Sequence, residues 1–261
     1  ARLRFWLSLI VDEEMPKALP NLDYKIVVGN SLVSKFDDTV IEIDWSEDTT
    51  KEGLFGQEIA ELKKKLLKEI STKQAKYFTA DNAQKLKLNL EIRNLKLDIL
   101  TKQLELMIEN KGFKSDSMQG LNKKQIEAWQ QTQDWKKALN DLQTLKENPT
   151  QDFNHFDWKL DFPEVLNPLV NEITGFDIVI ANPPYLKERG NANTFKMVND
   201  SHFGKLWHQG KMDYWFYFLH KSIDNINNKG VINFITSRYW INSTGADRKS
   251  TRLNSSHLVI S

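Results

Sequence analysis

The chain has 261 residues, of which 40% are hydrophobic and 27% charged, and its 36 basic and 35 acidic residues leave a net charge of +1. This composition is ordinary for a globular protein and by itself indicates no partner. Because the chain has no cysteine, disulfides and thiolate metal sites are excluded. Its five histidines show no metal-ligand spacing, and no apolar run reaches the roughly 18 residues of a membrane span. We therefore expect neither a metal nor a membrane partner.

The two ends of the sequence are interpreted separately from its middle. The chain opens with ARLRFWLSLIVDEE, without an initiator Met, and the apolar spacing predicts a helix that ends near Glu14. At the other end, RKSTRLNSSHLVIS (248–261) departs from the preceding pattern and is predicted to be a non-native tail. We interpret the chain as an internal fragment of a larger protein.

Two short segments near the beginning predict strands. The stretch YKIVVGNSL predicts a strand over Lys25–Val28, stopped by Gly29. Further on, Ile41, Ile43 and Trp45 alternate with acidic residues, as in a half-buried strand.

Residues 58–111 predict a long antiparallel helical hairpin. Apolar residues recur at helical spacing in two stripes, first Ile59, Leu62, Leu66 and Ile70, then Leu88, Ile92, Leu95 and Ile99. Between the stripes, Thr79 or Asp81 is expected to cap the second helix. Basic residues outnumber acidic ones here, which is compatible with an arm along a nucleic-acid backbone. A solvated helix face is the interpretation that we prefer.

Residues 112–150 are predicted to be a loop and a short helix that contains Trp129 and Trp135 and ends at Pro149.

The next segments predict a β-α-β unit. FDIVI (176–180) is a continuous apolar strand, expected to be covered on both faces. DYWFYFLHKSIDNIN (213–227) predicts a largely buried aromatic helix, capped by Asp213 and stopped by Gly230.

VINFITS (231–237) predicts the second strand of this unit. Such a unit implies a right-handed crossover in an open parallel sheet. Ligands of such sheets bind beyond the carboxyl ends of the strands, which is where GNSL and NPPY are both expected.

The NPPY stretch, residues Asn182, Pro183, Pro184 and Tyr185, is the main candidate site. An amino group conjugated with an aromatic ring is a poor nucleophile. The Asn182 side-chain oxygen and the Pro183 carbonyl could accept hydrogen bonds from its two N–H groups. These contacts would direct the nitrogen lone pair at an electrophile. The prolines fix the backbone, and Tyr185 offers a ring on which a base rotated out of a duplex can stack. The same residue types also form tight turns, but the strand before them and the β-α-β unit favour the catalytic interpretation.

The sequence resembles the S-adenosyl-L-methionine-dependent amino methyltransferases, in particular the adenine-specific DNA methyltransferases of the type IIG-like restriction–modification group. The resemblance covers most of residues 1–247. It rests on the NPPY stretch with GFDIVIANPPY around it, and on RLRFWLSLIVDE, LPNLDYKIVVGNSL, FDWKLDFPEV and GKMDYWFYFLHKSIDNINNKGVINFITSRYW. It implies an α/β fold with a Rossmann-like, doubly wound, mostly parallel sheet that is incomplete here. The implied domains are a methyltransferase core (1–57 and 151–247), a helical, coiled-coil-like insertion (58–150) and the tail (248–261).

The resemblance also implies a function. A prokaryotic, cytoplasmic enzyme would transfer a methyl group from S-adenosyl-L-methionine to N6 of a flipped adenine in double-stranded DNA, without a metal. Asn182 and Pro183 would accept hydrogen bonds from the target amino group. Pro184 would stiffen the turn, and Tyr185 would stack on the base. Asn30 and Ser31 would contact the cofactor. The Gly-rich cofactor loop of the family has no counterpart here and is expected before residue 1.

Three further assignments remain open. Tyr239 and Trp240 are expected to border the target pocket, where we favour a packing role. The NPPY geometry would also suit methylation of a glutamine amide in protein or of a guanine amino group in RNA. The helical hairpin would suit a non-catalytic nucleic-acid-binding or coiled-coil module. The lysine-rich hairpin and the FDWKLDFPEV stretch favour DNA.

Overall fold

The computed structural model describes residues 4, 7, 11, 22–45, 53–115, 117–236 and 258–260. Nearly all of the predicted opening helix, and the pair Tyr239 and Trp240, lie outside these residues. The helices are α1 (Gly53–Tyr77), α2 (Asn82–Lys111), α3 (Lys123–Glu147), α4 (Trp158–Asp161), α5 (Pro163–Leu166), α6 (Ala192–Asp200), α7 (His202–Trp207) and α8 (Trp215–Asn225). The strands are β1 (Lys35–Phe36), β2 (Thr39–Val40), β3 (Phe176–Ala181), β4 (Ile226–Phe234) and β5 (Leu258–Ile260).

This is a mixed α/β fold with small sheets. Strands β1 and β2 form an antiparallel pair, and β3, β4 and β5 form a parallel sheet of three strands in that order. The pairing of β5 involves residues 258–260, which belong to the segment predicted to be a non-native tail; the origin of that tail stays a prediction. The larger doubly wound sheet also stays a prediction.

The antiparallel hairpin is confirmed by α1 and α2. Contacts between the two helices run in opposite directions along the chain: Lys73 Nζ lies 2.6 Å from Glu91 Oε2, and Lys63 Nζ lies 3.2 Å from Gln103 Oε1. The predicted stripes supply the interface, where Ile59, Ile70, Ile92 and Ile99 are buried. Asp81, one of the two expected caps, accepts a 2.9 Å hydrogen bond from the backbone N–H of Gln84.

Replacing Asp81 with alanine is expected to lower the free energy of unfolding by about 1 kcal/mol, because the first turn of α2 loses its side-chain acceptor. Thr79→Ala is the matched control, since the Thr79 hydroxyl donates only to the carbonyl of Lys76 and caps nothing in α2. Urea unfolding of the two variants measures the difference. Equal losses in both variants would contradict the assignment of the cap.

The short tryptophan helix predicted for residues 112–150 is wrong in length, because α3 has 25 residues. A capping box begins it, in which the Asn122 side chain accepts from the Gln125 N–H and the Gln125 side chain accepts from the Asn122 N–H. Its buried stripe of Trp135, Ala138, Leu142 and Leu145 packs with Leu97, Leu100 and Leu104 of α2. Three helices, α1, α2 and α3, therefore follow one another over residues 53–147.

Buried polar contacts attach α1 and α2 to other segments of the chain. Lys96 of α2 forms an ion pair of 2.6 Å with Asp161 of α4, and the two side chains are 10% and 6% exposed. The second oxygen of Asp161 accepts a 2.9 Å bond from the backbone N–H of Asp157. Lys63 of α1 donates to the carbonyl of Asp44 at 2.8 Å. The first two helices are thus tied to the segment before them, at Asp44, and to the segment after α3, at Asp161.

The strand predicted for Lys25–Val28 is wrong. Residues 22–26 form a turn in which the N–H groups of Lys25 and Ile26 both donate to the carbonyl of Leu22, at 3.1 and 3.0 Å. Tyr24 has a φ of 59°, which a strand cannot accommodate. GNSL therefore does not follow a strand. Further on, Ile41 and Trp45 are buried between exposed acidic residues as predicted, although the ladder extends only over residues 39–40.

His155 makes the stability of the fold depend on pH. Its Nε2 lies 3.0 Å from Ser34 Oγ, and burial lowers the pKa of the imidazole to about 4. The unfolded chain binds this proton near pH 6.5, whereas the native state does not bind it until about pH 4. Stability should therefore be lost as the pH falls through this window. Urea unfolding at pH 7 and pH 4.5 should show a larger loss for the native chain than for His155→Gln, and equal losses would contradict it.

The β-α-β unit is confirmed, since β3 and β4 are parallel and α8 lies between them in sequence. Tyr214, Trp215, Phe216 and Tyr217 are buried, as predicted for the aromatic run. Two details were wrong. Asp213 does not cap α8 with its side chain, because the cap position is Tyr214. Gly230 does not end the helix either; α8 ends at Asn225, and Gly230 lies inside β4, where a Cβ would come within 2.8 Å of the Phe176 carbonyl oxygen.

The prediction that FDIVI is covered on both faces is also wrong. Ile178 and Ile180 are 64% and 76% exposed, whereas Val179 packs against the core of α8 and β4. The strand begins after Gly175, whose φ is 115° and whose Cβ would lie 2.3 Å from the backbone nitrogen of Asn227. Only glycine fits this close approach. The turn at Gly175 thus fixes where β3 begins. The strand ends six residues after this glycine, at Ala181.

Candidate active site

The NPPY stretch lies directly beyond the carboxyl end of β3. Strand β3 ends at Ala181, and the ladder continues for one more bond, from the Ile235 N–H to the Ala181 carbonyl at 3.1 Å. Asn182, Pro184 and Tyr185 are exposed, whereas Pro183 is buried. Pro183 therefore anchors the turn while the residues on either side of it face outward.

The side chains of Asn182 and Tyr185 lie next to each other. The Tyr185 hydroxyl is 2.5 Å from the Ile235 carbonyl and 3.3 Å from Asn182 Oδ1. A hydroxyl has one proton to donate, and the much shorter distance assigns it to Ile235. Tyr185 is therefore held by the end of β4, and Asn182 Oδ1 keeps its capacity to accept. The ring of Tyr185 is 53% exposed beside this oxygen.

The segment after NPPY is held by the beginning of α8. The Tyr214 N–H donates to the Leu186 carbonyl at 2.7 Å, and the Glu188 N–H donates to the Met212 carbonyl at 3.3 Å. The Glu188 side chain meets His208 Nε2 at 2.8 Å and accepts from the Lys211 N–H at 2.7 Å. Burial opposes ionisation of Glu188, but these hydrogen bonds outweigh it and lower the pKa of the carboxyl. The turn is thus fixed on both sides by backbone pairing.

Asn30 and Ser31, the predicted cofactor residues, occupy a separate place. Asn30 Oδ1 accepts from the N–H groups of Leu32 and Val33, at 2.9 and 3.1 Å. Its Nδ2 lies 3.8 Å from Met197 Sδ, a weak acceptor. The carbonyl of Ser31 accepts a 2.8 Å bond from Trp158 Nε1. The side-chain acceptor of Asn30 is therefore engaged within its own turn, and one of its amide N–H groups faces Met197 Sδ.

Both residues line a cavity of about 510 Å³ that also includes Trp158, Lys221, Asp224 and Asn225. Its size is typical of small-molecule sites. Residues 182–185 are not among those that line it, so the structure does not bring the two predicted halves of the site together in this cavity.

Lys221 is the residue in this cavity that the sequence did not indicate. Its ammonium lies 4.1 Å from the ring centroid of Phe203. Burial lowers the pKa of Lys221, although Asp224 and Asp157 oppose this shift, and burial raises the pKa of Asp157. In the sequence, Lys221 follows Tyr217 by four residues and therefore lies on the buried face of α8. Spacing alone predicts a core position there and does not predict a residue that lines a cavity. These groups give the cavity a mixed polar character.

Within the described ranges, no group of histidine and carboxylate side chains could hold a metal ion. In the same ranges, no helix is both long enough and apolar enough to cross a membrane.

Comparisons with known proteins decide the family. A family model described as Eco57I restriction-modification methylase matches residues 1–259. The chain belongs to this family. Membership agrees with the resemblance to restriction–modification methyltransferases, and the match includes the three long helices α1, α2 and α3.

A curated relative is a putative type II restriction enzyme and methyltransferase of Methanocaldococcus jannaschii, which is 27% identical over 264 residues. The alignment covers 90% of this chain and 20% of the relative. The chain therefore spans about a fifth of the length of that protein. No solved structure matches the chain.

Proposed function

We propose that this chain holds the target base in an adenine-specific DNA methyltransferase of a restriction–modification system, within a Rossmann-like doubly wound sheet that includes β3 and β4. The observation that carries the proposal is the pairing of Asn182 with Tyr185 at the carboxyl end of a parallel strand. Asn182 offers an oxygen acceptor and Tyr185 offers a ring face. Both side chains are exposed on the same turn.

The residues of the turn have distinct roles in the proposed reaction. Asn182 Oδ1 and the Pro183 carbonyl accept hydrogen bonds from the two N–H groups of the adenine amino group. This favours a pyramidal nitrogen whose lone pair is directed at the methyl donor, an electrostatic effect that needs fixed acceptors. Pro183 and Pro184 restrict the backbone, and the burial of Pro183 anchors it. Tyr185 keeps its hydroxyl on the Ile235 carbonyl, so its ring can stack on the base without turning.

S-adenosyl-L-methionine would supply an electrophilic methyl group carried by a sulfonium. The Asn30 turn fits the adenine end of this cofactor in part. Its amide nitrogen has only the weak acceptor Met197 Sδ and could donate to a ring nitrogen, whereas its oxygen is engaged by Leu32 and Val33. The aromatic ring of Trp158 and the carboxylate of Asp224 line the same cavity. Asn30 and Ser31 are therefore proposed to contact the cofactor from one side.

Family membership supports DNA over the rival substrates. The relative from Methanocaldococcus jannaschii is named as both a restriction enzyme and a methyltransferase, and restriction acts on DNA. A base in duplex DNA must leave the stack to reach such a turn, at a cost of a few kcal/mol. Stacking on an aromatic ring contributes about 1–3 kcal/mol, which offsets much of this cost.

The test is methyl transfer by the intact protein that contains this chain, with labelled S-adenosyl-L-methionine and either duplex DNA, RNA or release-factor protein as acceptor. We expect label in DNA only, recovered after digestion as N6-methyladenine. Label in RNA, in protein or on cytosine would overturn the proposal.

A further inference from the structure

The carboxylate of Glu188 uses both of its oxygens to join two segments of the chain. Oε1 lies 2.8 Å from His208 Nε2, and Oε2 accepts a 2.7 Å hydrogen bond from the backbone N–H of Lys211. The Glu188 and His208 side chains are only 24% and 33% exposed. By contrast, Asp200 pairs with Lys196 inside α6, where both side chains are at least 60% exposed. The contacts of Glu188 thus connect residues 20 positions apart, whereas the pair of Asp200 stays within one helix.

These contacts complete a clamp on the residues that follow Tyr185. The Tyr214 N–H donates to the Leu186 carbonyl at 2.7 Å, and the Glu188 N–H donates to the Met212 carbonyl at 3.3 Å. The second of these bonds is long, and so short a pairing of two strands is marginal by itself. The side-chain contacts of Glu188 therefore supply much of what holds residues 186–188 to residues 208–214. All of these bonds together are called here the Glu188 clamp.

Lys211 makes the clamp depend on the carboxylate. Its φ is 66°, a left-handed conformation that residues other than glycine adopt uncommonly. The bond from its N–H to Glu188 offsets the cost of this conformation, and the next residue, Met212, accepts from the Glu188 N–H. Burial opposes ionisation of Glu188, but the bonds from His208 and Lys211 outweigh it and lower the pKa of the carboxyl. The contacts are therefore charge-assisted at neutral pH. Without the carboxylate, the turn at Lys211 would relax and Met212 would move away.

Tyr185 is held at two places, and the Glu188 clamp provides one of them. Its hydroxyl donates to the Ile235 carbonyl at 2.5 Å, which fixes the far end of the side chain. This bond does not fix the Cα of Tyr185, whose position depends on Pro184 before it and on residues 186–188 after it. A ring fixed only at its hydroxyl can tilt about that bond. A ring fixed at both ends presents one face at a constant angle.

We propose that Glu188 is a positioning residue, which holds the Tyr185 ring at the angle that the target base needs for stacking. This inference rests on the proposed function, since it concerns the same ring. Glu188 acts through the backbone of the clamp and does not touch the base. If Glu188 served stability alone, substitutions of Glu188 and Tyr185 would affect DNA binding independently. A positioning role makes their effects non-additive.

The experiment is a double-mutant cycle on the intact protein, with a duplex that contains the sequence it methylates. Fluorescence anisotropy gives the dissociation constant. Tyr185→Ala should weaken binding by the native protein about 5- to 150-fold, the range for loss of one stacked base. In a Glu188→Ala background the same change should weaken binding no more than about twofold, because the ring is already misplaced. An Asp200→Ala background is the matched control and should keep the full effect, since its ion pair lies outside the clamp.

Two further variants separate positioning from folding. Glu188→Gln keeps an oxygen that can accept from the Lys211 N–H, so most of the effect of Tyr185→Ala should return in this background. If circular dichroism shows that Glu188→Ala does not fold, His208→Ala opens one side of the clamp and replaces it in the cycle, where it should also reduce the effect of Tyr185→Ala.

Equal effects of Tyr185→Ala in the native and clamp-variant backgrounds would overturn the inference. So would an equal reduction of its effect in the Asp200→Ala background. Failure of the proposed function gives a different result, since the native protein would then leave adenine unmethylated and Tyr185→Ala would not weaken DNA binding in any background. If the inference alone fails, the native protein methylates adenine and Tyr185→Ala weakens binding equally with and without Glu188.

Discussion

Replacing Asn182 with alanine in the intact protein is expected to lower kcat for adenine methylation by about 10²–10³-fold, the usual effect of removing one fixed hydrogen-bonding group that acts in the transition state. The fold should be unaffected, since Asn182 is exposed and its oxygen has only a 3.3 Å contact with the Tyr185 hydroxyl. Single-turnover methyl transfer with saturating DNA measures the effect on the chemical step.

Tyr185 offers the matched comparison on the same turn. Tyr185→Phe keeps the ring and loses only the bond to the Ile235 carbonyl, whereas Tyr185→Ala also loses the stacking surface. Because stacking contributes about 1–3 kcal/mol per base, the alanine variant should bind and methylate DNA much more weakly than the phenylalanine variant. An Asn182→Ala protein with unchanged kcat would remove the basis of the whole assignment.

Sequence spacing predicted the helical hairpin and the parallel strand pair. The helical hairpin followed from its two stripes, and Ile92 and Ile99 are buried as the period requires. The parallel pair β3 and β4 followed from apolar runs separated by a helix. The failed strand has a cause that apolar spacing does not encode. The apolar run Ile26–Val28 has strand propensity, but the left-handed Tyr24 turns the chain and Val28 is 94% exposed.

In the candidate site, too, some arrangements could be predicted from the sequence and others could not. That Asn182 and Tyr185 share one turn follows from their spacing of three residues and from the prolines between them. The engagement of Asn30 Oδ1 by Leu32 and Val33, and the position of Lys221 beside the same cavity, depend on how distant segments pack. A pattern of residue types does not contain that information.

Replacing Lys96 with methionine is expected to lower the free energy of unfolding by about 3–5 kcal/mol, because it leaves the Asp161 carboxylate buried and without its counter-charge. The carboxylate is 6% exposed, and its remaining described bond, from the Asp157 N–H, does not neutralise it. Urea unfolding of the variant, followed by circular dichroism, measures the loss.

Lys146→Met provides the control, because Lys146 pairs with Asp98 at 2.5 Å while both side chains are at least 36% exposed. Water screens that pair, so its loss should cost no more than about 1 kcal/mol. Adding Asp161→Asn to Lys96→Met should recover most of the lost stability, since the uncompensated charge is then gone while an acceptor for the Asp157 N–H remains. If Lys96→Met and Lys146→Met cost the same, the pair of Lys96 with Asp161 contributes no more to stability than the exposed pair of Lys146 with Asp98.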